Sequence, residues 1–167
     1  MLSSRDEGRR KPRETPASIG RAFAGDVEWK LFGAGTKSYG EIAKDLGALE
    51  KHYVSKLKHH PALVLEIRRR IAENKLEQAL LHRCPLSLCN ARLKVLSNLG
   101  FDTVERKAHF YLLFARGALA RGNKSAARRM TSQIIDELQI LLEGSSSPLA
   151  EQCLAYGRKI LNSIDHG

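Results

Sequence analysis

A chain of 167 residues suits one domain, or one domain with an appendage, and excludes a large multidomain enzyme. With 43% hydrophobic and 28% charged residues it has enough apolar side chains for a core, and no apolar run approaches the roughly 18 residues needed to span a bilayer. The 28 Lys and Arg against 18 Asp and Glu leave a net charge of +10, which favours an anionic partner.

Only 6% of the residues are aromatic, and Leu and Ala dominate the apolar set, so an all-α fold is expected rather than a sheet. Residues 1–25 hold six Lys/Arg, three Asp/Glu, two prolines and few large apolar groups, and are read as a disordered basic tail. A first helix is expected from Asp26 to Phe32, ended by Gly33 and Gly35. Ser38-Tyr39-Gly40-Glu41 has the form of a capping box and predicts a helix over Tyr39–Leu46. Gly47 would make a left-handed turn, and a second helix would run from Glu50 to His60, where Pro61 interrupts it. Apolar residues near helical spacing then give a long amphipathic helix over Ala62–His82, with Arg68, Arg69 and Arg70 mostly outside its core-facing stripe.

Cys84-Pro85 marks a break. Four further helices follow: Leu86–Leu99, closed by Gly100; Thr103–Arg121, capped by Asp102; Lys124–Glu143, after the Gly122-Asn123 connection; and Pro148–Ile164, capped by Ser147. The organisation expected is a tail at 1–25, a helix-turn-helix-like unit at 26–83 and a helical hairpin or assembly region at 84–167. Cys84, Cys89 and Cys153 are too few for a disulfide scaffold, which suits an intracellular, reducing compartment. That compartment would be cytoplasmic or nucleoid-associated, or nuclear if Arg9-Arg10-Lys11-Pro12-Arg13 serves as an address in a nucleated cell.

The order Ser38 to Gly47, then Tyr53-Val54-Ser55-Lys56-Leu57, resembles the helix-turn-helix of DNA-binding regulators over residues 36–60. Ala43 would permit close helix crossing, Gly47 would turn the chain, and Ile42, Leu46, Val54 and Leu57 would fix the second helix against the first. Val54 stands seven positions after Gly47, one more than the motif's usual spacing, so either the turn is a residue longer or Tyr53 takes the buried slot. The resemblance implies a groove-facing set of Lys51, His52, Tyr53, Ser55, Lys56, Lys58 and His59, with Arg68, Arg69 and Arg70 on phosphates. With His60-Pro61 and a basic helix following, the arrangement is also similar to the amino-terminal part of phage small terminase subunits, a family that binds DNA through this unit and oligomerises through helices. A regulator would be a two-fold dimer, and a packaging factor would be a ring.

Tyr111, Leu112, Leu113 and Phe114 put apolar groups around much of one helix, which requires deep burial or a partner on the outward face. Tyr111, Phe114, Ala118, Gly122, Ala127 and Ile134 are similar in spacing to a tetratricopeptide-type helix pair. One copy makes no array, so an ordinary hairpin is expected. Arg121, Lys124, Arg128 and Arg129 make a second basic patch around the Gly122 turn, a solvated face or a secondary phosphate contact, with Arg128 and Arg129 as candidates for a partner.

Three other signals carry no site. Gly33 to Ser38 lacks the glycine before lysine that a phosphate loop needs, and His82, Cys84 and Cys89 lack a fourth metal ligand nearby. Asp136 and Glu137 splay apart as helix neighbours. No cofactor, metal or catalytic group is implied. The expectation is a non-enzymatic protein that binds duplex DNA and forms a homo-oligomer, away from membranes. The competing class is a helical adaptor or effector that engages a protein through its C-terminal helices.

Overall fold

The computed structural model describes residues 13–167, which form seven α-helices, one short 3-10 turn and no strand. The helices are α1 (Pro16–Leu31), α2 (Tyr39–Lys56), α3 (Pro61–Leu81), α4 (Leu86–Leu99), α5 (Val104–Ala120), α6 (Lys124–Gly144) and α7 (Pro148–His166), with the 3-10 turn at Ala34–Thr36. None of them is long and apolar enough to cross a membrane.

The N-terminal boundary differs from the expected one. Helix α1 begins ten residues before Asp26, because Thr15 and Ser18 close a reciprocal cap: Thr15 Oγ1 accepts from Ser18 N at 3.1 Å and Ser18 Oγ accepts from Thr15 N at 2.8 Å. Pro16 presets the first helical φ. Ile19, Phe23 and Val27 then recur on one face and are buried, so residues 16–25 are helix rather than tail. The arginines and lysine at positions 9–11 lie outside the described residues.

A second correction concerns Gly47. Ser38 caps α2 through Glu41 N at 3.2 Å, but the helix runs without interruption to Lys56, and no turn forms at Gly47. Ile42, Leu46, Leu49, Tyr53 and Leu57 continue a single helical stripe across the glycine, and a turn there would split it. Keeping one glycine inside a helix costs only about 1 kcal/mol, less than burying that stripe returns. The chain reverses instead at Leu57–His60. There His60, held out of the helical region by the proline that follows, precedes Pro61 at the start of α3.

Two apolar clusters share α3. Its first half, through Ile67 and Ile71, packs with α1 and α2. Its second half, through Leu76, Ala79 and Leu80, joins the cluster of α4 to α7, meeting α4 and α5 directly. The division between the clusters therefore falls inside a helix at Ile71/Ala72, and not at Cys84-Pro85. Arg69 braces the junction by donating to the Leu99 carbonyl at 3.3 Å and pairing with Asp102 at 2.8 Å, which satisfies an end carbonyl of α4. Glu73, almost fully buried on α3, pairs with Arg106 of α5.

The larger cluster centres on the α5–α6 hairpin, with α7 closing over both. Gly122, at φ 77, makes the expected tight connection, and Asn123 caps α6 through Ala126 N at 3.0 Å. Thr103, one residue later than expected, caps α5. Ser147 and Pro148 start α7 as expected. Gly157 allows α7 to approach closely, since a Cβ there would stand 3.1 Å from Ile135 Cγ1.

Candidate nucleic-acid interface

The residues expected to face DNA separate into three groups once α2 is a single helix. Lys51 and Ser55 lie on the exposed side of its second half, and Lys58 and His59 are exposed in the turn that follows. Lys44, which the motif comparison passed over, lies seven residues before Lys51 and so on the same side, two helical turns away. Neither Lys44, Lys51 nor Lys58 forms an ion pair among the described residues.

His52 and Lys56 are also exposed but have local partners. The His52 ring meets the Tyr53 ring edge-on at 5.0 Å. Lys56 Nζ stands 3.0 Å from Glu14, which ties the start of α1 to the end of α2 and offsets part of the positive charge there.

Tyr53 is not a groove contact. Its side chain is buried, its ring meets Phe23 edge-on at 5.3 Å, and its hydroxyl donates to the Asp26 carboxylate. Burial, reinforced by the hydrogen bond to Asp26 and that residue's charge, pushes the phenol up to about 12. The aromatic ring thus belongs to the smaller core, and Asp26 holds its polar end at the rim.

Arg68, Arg69 and Arg70 do not act together. Consecutive helical residues point about 100° apart, and these three face three surroundings. Arg68 approaches Glu50 at 3.9 Å, Arg69 is spent on Leu99 and Asp102, and Arg70 lies exposed beside the α3–α5 crevice. Only Arg70 keeps a solvent-facing charge without an acidic partner among the described residues.

The partner-facing residues expected in the C-terminal half divide in the same way. Tyr111 and Phe114 are buried inside the helical bundle and present no outward face. Arg128 pairs with Asp165 at 2.7 Å, whereas Arg129 is exposed. The outward side of α5 carries His109, Leu113 and Arg116 between two grooves, one against α3 and one against α7.

No family model, curated protein or solved structure matches this chain. What the exposed face of α2 does must therefore be argued from its own chemistry. Together with the turn that follows, it offers Lys44, Lys51 and Lys58, two histidines and the Ser55 hydroxyl, and the groups nearest the C-terminal end are also favoured by the helix dipole.

Proposed function

We propose that the protein binds duplex DNA through the exposed side of α2 and the turn after it, without catalysing a reaction. The observation that carries this reading is the stripe of Lys44, Lys51 and Lys58, none of them neutralised by an acidic partner among the described residues. Helical rise separates Lys44 from Lys51 by about 10 Å along the axis, which spans about three phosphates of one strand. Lysines on that stripe would neutralise phosphates, and Ser55, His52 and His59 would reach further polar groups between them. Regulator and packaging roles both fit, and the stoichiometry on DNA separates a two-fold dimer from a ring.

The test is fluorescence anisotropy with random duplex DNA at two salt concentrations, comparing the wild type with Lys51→Ala/Lys58→Ala. Affinity should fall, and the slope of log K against log salt should shrink by about two, near one for each lost phosphate contact. Unchanged affinity and slope in the double variant would remove the α2 face from the reading.

The adaptor reading is favoured by a different observation. Leu81, 65% exposed, and Leu149, 56% exposed, flank the outward side of α5, and Arg83 and Arg116 stand at the rim. Arg83 sits at φ 51, a backbone position that glycine normally fills at a helix end. This surface becomes the leading candidate if duplex DNA gives no anisotropy change even at low salt.

A further inference from the structure

Helices α2, α3 and α4 meet at a cleft of about 140 Å³ on the side of the molecule where Gly47 faces α3. Its lining brings together Arg68 and Lys75 from α3 and Arg92 from α4, over an apolar floor that includes Ile71 and Ala72, with Glu50 of α2 the acid at its edge. Glu50 is already turned toward Arg68, at 3.9 Å. The charges of Lys75 and Arg92 are left without an acidic partner among the described residues.

Both groups are positioned rather than loose. Lys75 Nζ lies against α2 beside Gly47, at ordinary van der Waals distance from where a Cβ would stand, 3.8 Å. Arg92 Nε donates to the Tyr39 hydroxyl at 2.8 Å, and its guanidinium carbon lies 5.9 Å from the centre of that ring. Fixing Nε leaves the terminal guanidinium nitrogens available to an incoming acceptor. Burial holds the Lys75 ammonium below the usual lysine range, and the Arg92 charge pushes the same way against Glu50. Two half-buried cations held side by side repel each other, and a bound anion would relieve that repulsion.

We propose that this cleft binds a phosphate group, with Lys75 and Arg92 as its ligands and Arg68 at the rim. A free phosphate or phosphate monoester carries close to two negative charges at neutral pH and matches the two cations better than a carboxylate does, whereas a backbone phosphodiester carries one and would rely on the paired donors of Arg92. Arg92 supplies paired donors to two oxygens, and Lys75 supplies a point charge to a third. The group can come from free phosphate or a small phosphate ester, or from the backbone of a nucleic acid. The inference stands apart from DNA binding by the α2 stripe, because its ligands belong to α3 and α4.

Calorimetric titration of the full chain with sodium phosphate, against sodium chloride at equal ionic strength, tests it. Phosphate alone should give saturable heat and raise the unfolding midpoint. Lys75→Met and Arg92→Gln should each weaken phosphate binding by about tenfold or more, and Lys75→Arg should retain most of it. If Lys75→Met fails to fold, the contrast between Lys75→Arg and Arg92→Gln still decides. Equal responses to phosphate and chloride in the wild type, or wild-type phosphate affinity in Arg92→Gln, would overturn the proposal. The same variants titrated with a short duplex identify the source: parallel loss of duplex affinity assigns the phosphate to a nucleic-acid backbone, and loss of phosphate alone assigns it to a free ion or small ester.

Discussion

The two clusters of this protein solve the same packing problem with unequal means. The one at α1 and α2 buries ten apolar side chains and keeps a polar device in its wall, the Tyr53–Asp26 pair; the one at α4 to α7 buries 23 and closes two antiparallel connections with tight caps. The smaller cluster is too thin to be secure alone, and it is held by sharing α3 with the larger one. The lesson is that a basic, sparsely packed unit can expose a stripe of lysines because its rigidity comes from a helix anchored elsewhere.

The most severe way to break that arrangement is to interrupt α3 where the clusters divide. Ala72→Pro removes an internal hydrogen bond and clashes with the preceding turn, so a loss of about 3 kcal/mol or more is expected. Hydrogen exchange should show α1 and α2 losing protection before α5 to α7. Retained protection in α1 and α2 would mean that the smaller cluster stands without the larger.

A milder change sharpens the comparison within the smaller cluster. Tyr53→Phe removes the hydroxyl bonded to Asp26 and should cost about 1 kcal/mol in urea unfolding, with no loss of helix. The phenol is raised in the folded state, so its contribution is whole below the unfolded value near 10 and is lost as pH climbs through about 12. Wild-type stability should therefore decline across that alkaline window more steeply than that of Tyr53→Phe. Identical alkaline profiles would remove Tyr53 as the group responsible.

How legible these features were depends on whether the deciding interaction was local. Ser147-Pro148, Gly100 and Gly122 act within a few residues, and their roles follow from backbone chemistry that any reader of the sequence can apply. The start of α1 was local too, but its cap uses serine where glutamate or glutamine is the usual signal, and the charged composition around it points to a tail. Gly47 misleads because a glycine before a basic segment suggests a turn, while the stripe from Ile42 to Leu57 outweighs it. Contacts between distant residues left no pattern at all. Nothing near Tyr53 names Asp26, nothing near Arg69 names Leu99 and Asp102, and Lys75 and Arg92 meet only because α3 and α4 pack together. Of the candidate interface, Lys51 and Lys58 were named from the sequence, Lys44 was hidden by the turn expected at Gly47, and the removal of Tyr53 and Arg69 left no sequence signal.

The central claim is that duplex DNA docks on the α2 stripe, and the most direct measurement is an NMR map of backbone amides titrated with a short random duplex at low salt. The account predicts shift changes concentrated between Lys44 and His60, fading as salt rises, with the outward side of α5 around Leu113 and Arg116 unchanged. Shift changes centred on α5, or none at any salt concentration, would contradict it.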